Sequence, residues 1–308
     1  MSEPLVLNGL NGVNPLAFLA ALGSLRTAAE VFESARLAWR VVGGAWRPIL
    51  TGCPVTEEEL SKRLFQRLKE LSMAPFEADT KLPFSRAELE KRFRALQRGY
   101  KDDQRRIADL WAALGSDAHA DEDGMFADTA FRLVRSGDSA GNGLPVYALN
   151  IARATTREAL SRALFRAWDY QDQSKSRSLR LDPVDDQRYA LRWKNPSKSG
   201  LEDGPGTMLG ANRLALEGLG LFPTMCVGRT VVTTGFQKDR SGSIWFVWPI
   251  WTVALSTDEI RSALAAAELK LESLDHISLR RRGVEEVFKS QRIAQNQYYS
   301  NLTWGVPV

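Results

Sequence analysis

The stretch Phe222–Trp251, FPTMCVGRTVVTTGFQKDRSGSIWFVWPIW, decides how this chain is read. Val227 and the run Thr230 to Thr234 are rich in β-branched residues, which favours extended backbone. Ile244-Trp245-Phe246-Val247-Trp248 is a second such run. Between them Lys238-Asp239-Arg240-Ser241-Gly242-Ser243 is a polar tip with a turn glycine, so the sequence predicts one long β-hairpin. Arg229, Lys238 and Arg240 share that ribbon with Trp245, Trp248 and Trp251. Basic and aromatic side chains together suit a nucleic-acid backbone and its bases. The same composition also describes a core hairpin with solvated basic edges.

Outward from this ribbon, local signals place most other elements. Asn14-Pro15 is an N-cap followed by proline at the first helical position, and Ala17, Ala20, Ala21 and Gly23 let another element approach that helix closely. Gly43-Gly44 joins two short strands, and Thr56-Glu57-Glu58-Glu59 opens a helix with acids in its first turn. Ser85 to Leu114 reads as a long helix broken at Gly99, with Arg86, Lys91, Arg92, Arg94, Arg98, Arg105 and Arg106 on its polar face. That face is solvated or contacts phosphate. Ser178–Leu181 and Arg188–Trp193 alternate as two short strands around Asp182-Pro183-Val184-Asp185-Asp186. Ser256-Thr257-Asp258-Glu259 caps a helix through Leu269, and Val284 to Ile293 alternates as a strand. Trp39, Leu64, Trp111 and Phe131 are expected in the core. The expected fold class is α+β, mixed helices with short antiparallel sheets and the long basic, aromatic hairpin. The acidic Gly115–Gly124 stretch reads as a linker between regions 1–116 and 125–308.

Composition narrows the function. The 308 residues carry 41 Lys and Arg against 37 Asp and Glu, a net charge of +4, so clusters of charge say more than their average. No apolar run is long enough to span a bilayer, Met1 to Pro4 has no secretory character, and Cys53 and Cys226 are too few for a disulfide framework. A cytoplasmic protein is expected. His119 and His276 have no metal-site context, and phosphate-loop, dinucleotide-binding and nucleophile-elbow motifs are missing. Asp117, Asp121 and Asp123 leave a metal-dependent nuclease as one alternative. A scaffold that binds only protein subunits is another. The main expectation is a non-catalytic nucleic-acid-binding protein without a cofactor.

Several stretches, in order along the chain, resemble one family: Asn14–Gly23 (NPLAFLAALG), Ser178–Trp193 (SLRLDPVDDQRYALRW), Gly206–Met225 (GTMLGANRLALEGLGLFPTM), Val227–Phe236 (VGRTVVTTGF), Trp248–Trp251 (WPIW) and Phe288–Ile293 (FKSQRI). They are similar to CRISPR-associated proteins of type I-G (formerly I-U) loci, which take the place of the large subunit in the RNA-guided surveillance complex, Cascade. The resemblance implies a subunit that holds target double-stranded DNA beside backbone subunits bearing the CRISPR RNA. It also implies help in recognising the protospacer-adjacent motif and recruitment of the nuclease-helicase. It assigns no role to single residues, so the candidate contacts come from charge and pattern. One set is Arg177, Arg180, Arg192 and Lys194, on or beside the alternating strands. A second joins Arg229, Lys238 and Arg240 on the hairpin to Lys289, Gln291 and Arg292 on the last long strand as one duplex-facing surface. There Gln291 and Arg292 would read bases and the hairpin cations would hold phosphates. The triplet Arg280-Arg281-Arg282 belongs to the same surface or merely finishes a helix before Gly283.

Overall fold

The computed structural model describes residues 3–79, 82–98, 102–120, 124, 126–134, 142–186, 206–227, 230–294 and 299–308. Arg192 and Lys194 of the first candidate set, Arg229 of the second, Gly99, and Asp121 and Asp123 of the acidic stretch lie outside them.

In chain order, β1 (Leu5–Val6) leads into α1 (Pro15–Ala29). Asn14 Oδ1 accepts from the amides of Leu16 at 2.8 Å and Ala17 at 3.2 Å, the expected N-cap. Gly43 and Gly44, both left-handed, turn β2 (Arg36–Val42) into β3 (Ala45–Thr51). Thr56 caps α2 (Glu57–Glu70) as expected. There follow α3 (Ala74–Glu77), α4 (Arg86–Arg98), α5 (Asp102–Leu114), β4 (Gly115–Ala120) and β5 (Phe126–Asp128). Next come α6 (Leu144–Ala154), α7 (Arg157–Phe165) and α8 (Leu209–Leu219). The C-terminal part holds β6 (Thr224–Val227), β7 (Thr230–Thr233), β8 (Phe236–Lys238), β9 (Ile244–Trp251), α9 (Thr257–Leu264), α10 (His276–Arg281), β10 (Val284–Ala294), β11 (Ser300–Leu302) and β12 (Val306–Pro307). Helices with short antiparallel sheets make this the expected α+β fold. One sheet has the order β1-β3-β2, the other β11-β10-β9-β8 with β12 also on β10, and β4-β5 and β6-β7 are two-stranded ribbons.

The core is organised around α1, whose residues from Pro15 to Ala28 are all buried. Such a helix is covered on every side, its few polar residues included. On one side the aromatic inner face of β9 meets it: Phe18 lies 5.7 Å from Trp248 and 6.2 Å from Trp251, ring centre to ring centre, and 5.8 Å from Trp39 on β2. On another side α8 comes so close that a Cβ on Gly23 would stand 1.8 Å from the Leu214 carbonyl oxygen. The small residues of α1 are what this approach requires. Trp39, Leu64, Trp111 and Phe131 are buried, as expected, in a cluster that runs from Leu7 to Leu302. That cluster draws on both sides of the acidic stretch, whose first part, Gly115–Ala120, is strand β4, paired with β5 just beyond it. Gly23→Ala is expected to destabilise the protein by about 1–3 kcal/mol through overpacking. A urea midpoint equal to the parent's would show that α1 and α8 can separate freely.

Three expectations are corrected. The long hairpin is two hairpins: β6 pairs with β7, while β9 takes β8 as its partner, in the register Phe236↔Phe246. Gly235, with φ +79, reverses the chain between β7 and β8, and Thr234 turns back to the Pro223 carbonyl. Residues 178–181 are not a strand. Arg180 has φ +60, and Pro183–Asp185 forms a 3-10 turn capped by Asp182, so the side-chain bonds of this segment prevail over its alternation. The helix capped by Ser256 stops at Leu264, and short 3-10 turns continue to Ser273.

Candidate nucleic-acid interface

Direct cross-strand neighbours share a face of a sheet. In the five-stranded sheet the pairs Phe236↔Phe246↔Ser290 and Trp248↔Phe288 therefore point into the main core. The pairs Gln237↔Trp245↔Gln291 and Val247↔Lys289↔Val306 point outward. Much of this outer face is covered: Val247, Val284 and Val287 pack with Leu269 and Leu279 in a second, smaller core. Gln237 fixes the covering segment, donating to the Leu269 carbonyl at 2.9 Å and accepting from the Leu271 amide at 2.7 Å. Trp245, Lys289 and Gln291 remain half-buried at the open end. There the Lys289 ammonium lies 4.9 Å from the centre of the Trp245 ring.

The hairpin tip beside them is rigid. Asp239 accepts from the amides of Ser241 and Ser243, both at 2.9 Å, from the Ser241 hydroxyl at 2.6 Å and from Trp245 Nε1 at 2.8 Å. Bonds from Ser241 and Trp245 hold its carboxyl down at about 2. Lys238 and Arg240 are exposed on either side of it.

The pleat divides the duplex-facing surface expected from the sequence. Lys238 stands opposite Ile244, and Ile244 opposite Arg292, so these two cations have the inward parity while Lys289 and Gln291 have the outward one. The Arg292 guanidinium donates to the Arg132 carbonyl at 3.1 Å and is not presented to bases. Arg282 is paired with Glu268 at 2.5 Å. Arg280 and Arg281 are exposed in the last turn of α10, before Gly283 at φ +82, where cations favour the helix dipole. In the first set, half-buried Arg177 sits in a turn, and Arg180 is turned inward. Arg180 donates to Asn301 Oδ1 at 3.1 and 2.8 Å and to the Asp185 carbonyl at 2.9 Å, with its guanidinium 4.7 Å from the centre of the Tyr299 ring. Arg106, expected on a solvated face, is buried against Glu217.

Two features of the interface escape the sequence reading. Trp304, 50% exposed, follows Thr303, which exchanges backbone and side-chain hydrogen bonds with the main chain of Gln291. Val306, 46% exposed, pairs with Lys289. They are two exposed apolar side chains close together in sequence. The only signal in the sequence is a tryptophan next to Gly305, in a segment too short to show alternation.

A second polar group is buried beneath Arg180. Asp182 accepts from Asn14 Nδ2 and from the Val184 amide, each at 3.1 Å, through Oδ1, while its Oδ2 has no hydrogen bond of this kind among the described residues. Burial, and then the neighbouring charge of Asp185, push its carboxyl up to about 7. Asp185 accepts from the Ser178 hydroxyl at 2.6 Å, and burial raises its carboxyl too. Elsewhere, a surface groove of about 550 Å³ lined by Glu30, Glu59, Arg63, Arg67 and Glu70 contains mutual ion pairs, Arg67–Glu30 at 2.7 Å and Arg63–Glu59 at 2.8 Å. Cys53 and Cys226 are both free, and burial pushes the Cys53 thiol up to about 11. Among the described residues no group of three or more His, Cys, Asp or Glu side chains is gathered as a metal site, and no helix is long and apolar enough to cross a membrane. No protein-family model matches the chain, and no curated protein sequence matches it.

Proposed function

We propose that this protein is a non-catalytic, cytoplasmic, nucleic-acid-binding subunit of a type I CRISPR surveillance complex. In this role it contacts target DNA beside subunits that carry the CRISPR RNA, helps recognise the protospacer-adjacent motif and recruits the nuclease-helicase. The family part of this reading rests on the ordered resemblance of six stretches. The binding part rests on one observation: the open end of the five-stranded sheet places Lys289, Trp245 and Gln291 next to a rigid tip bearing exposed Lys238 and Arg240. A tip whose backbone is tied by Asp239 leaves only the Lys238 and Arg240 side chains to be ordered at the moment of binding.

The test is DNA retention by the assembled complex, carrying either the parent chain or Lys238→Ala/Arg240→Ala/Lys289→Ala. Phosphate contacts make log K fall with log salt by about 0.9 per duplex contact, so the triple variant is expected to weaken binding at low salt and to flatten that slope by up to roughly 2.7. An unchanged slope and affinity in the correctly assembled variant would remove these residues from the interface. Assembly that ignores salt, with no retained DNA, would point instead to a protein-only scaffold.

A further inference from the structure

We infer that Arg40 and Arg47, directly opposite one another on the β2–β3 hairpin, hold a phosphate of the target DNA backbone. The site is on the other sheet from the proposed interface and rests on the reading that this protein binds DNA. Cross-strand neighbours share a face, so the pair stands on the face opposite buried Leu37 and Trp39, roughly 4.5–5.5 Å apart at Cα. Like charges in that position repel and destabilise a hairpin unless an anion lies between them. Among the described residues neither has a carboxylate partner. Arg40 is exposed and makes no hydrogen bond or ion pair there. Arg47 is half-buried and donates through Nη1 to the Leu10 carbonyl at 3.0 Å. The contrast lies on the same face: Arg36, four positions back along β2, is paired with Glu259 at 2.7 Å. The chain supplies an acid to that arginine and to neither of the two that repel.

The geometry fits a phosphate. Arg47 is on β3, the middle strand of its sheet, with one end of its guanidinium tied to the Leu10 carbonyl. Arg40, without a partner, can close on an anion from the other side. Planar guanidinium forks match phosphate oxygens, and such charge-assisted bonds are among the strong ones. The hairpin ends in Gly43 and Gly44, both exposed and with open space where a Cβ would stand, so no other part of the described chain closes over the tip. The surroundings favour a phosphate over an acidic protein surface, because protein interfaces bury an apolar centre poor in charge. Exposed Val41 has the opposite parity, with Trp46, which leaves Val42 as the exposed valine of the arginine face. A backbone phosphate needs cations and no apolar surround.

The experiment measures target-DNA retention by the assembled complex against salt, with the parent chain, Arg40→Ala, Arg40→Lys and Arg40→Glu. Loss of one duplex phosphate contact is expected to flatten the slope of log K against log salt by about 0.9 in Arg40→Ala. Its affinity at low salt is expected to fall about 10-fold, the weaker end for a hydrogen bond to a charged group. Arg40→Lys keeps the charge and is expected to keep the slope. Arg40→Glu is expected to bind least and, because it sets an acid opposite Arg47, to melt at or above the parent. Weaker binding without lost stability is a result that a merely structural pair would not give. An unchanged slope and affinity in Arg40→Ala overturns the inference. So does a variant complex that fails to assemble or loses its guide RNA, which would assign the pair to an acidic protein surface or to RNA. Lower melting temperatures in Arg40→Ala and Arg40→Glu alike would make the pair structural, with the same consequence. If Lys238→Ala/Arg240→Ala/Lys289→Ala flattens the slope while Arg40→Ala does not, the proposed function stands and this site falls. If the parent complex retains no DNA, both fall.

Discussion

Glu217→Ala is expected to destabilise the protein by about 3–5 kcal/mol, enough to unfold much of a marginally stable chain. Glu217 is buried on α8, and its carboxylate is forked by Arg106, with Nε at 2.7 Å from Oε2 and Nη2 at 2.5 Å from Oε1. Arg213 Nη1 reaches Oε1 at 2.7 Å, and Arg26 Nη1 donates to the Glu217 carbonyl at 2.5 Å. Arg106 also reaches the Ser72 carbonyl and Arg213 the Leu68 carbonyl, so both guanidiniums are held in place with Glu217 as their shared anion. Removing that anion leaves two buried cations, and the cost is mostly theirs. Burial pushes the Glu217 carboxyl up, but Arg106 and Arg213 pull it down further, to about 2. A depressed native value means that this stabilisation is present above the unfolded value of 4.5 and is lost as pH falls toward 2. Replacing the trio with apolar residues of similar volume is expected to cost far less than Glu217→Ala alone. Urea unfolding of both variants measures the difference. A single variant within about 0.5 kcal/mol of the parent would mean that the two arginines are satisfied without this anion.

The elements that the sequence made legible are those decided within a few residues. Asn14, Thr56 and Ser256 each cap the helix they precede, because a cap needs only a side-chain oxygen and an amide two or three positions on. Gly43-Gly44 closes its hairpin for the same local reason. The ribbon around Trp245 was readable as strands but not as pairings, since a left-handed Gly235 is enough to hand β9 a different partner. Arginines were the least legible. Nothing near Arg106 announces an acid 111 positions away, and nothing near Arg180 announces Asn301 at 121. A basic residue on a polar stripe looks the same whether it meets water, phosphate or a buried carboxylate. Of the candidate contacts, those at the hairpin tip and at Lys289 and Gln291 are accessible, because tight turns and open sheet ends are surface by construction.

Asp182→Asn is expected to make the protein more stable at pH 8 and to leave it unchanged near pH 4. Asp182 is 2% exposed, and the titratable groups around it are Asp185 and Tyr170, with Arg180 bound to the Asp185 carbonyl. Burial and the Asp185 charge raise its carboxyl from 3.8 to about 7, against the opposing interactions with Val184, Asn14 and Tyr170. Because the native value lies above the unfolded one, the native state keeps its proton longer. This group's contribution is therefore fully present below pH 3.8 and is lost as pH rises through about 7. The whole displacement is worth roughly 4 kcal/mol. Asparagine preserves the acceptor that Asn14 and Val184 use and cannot become an anion, so the gap between variant and parent is expected to open from pH 4 to pH 8 toward that figure. The difference between the two stability–pH curves isolates this group from Glu217, whose effect runs the other way and at lower pH. A variant that is less stable than the parent at pH 8 would show that the charged carboxylate is needed, as an anion behind Asn14 at the N-terminus of α1, where the helix dipole favours negative charge.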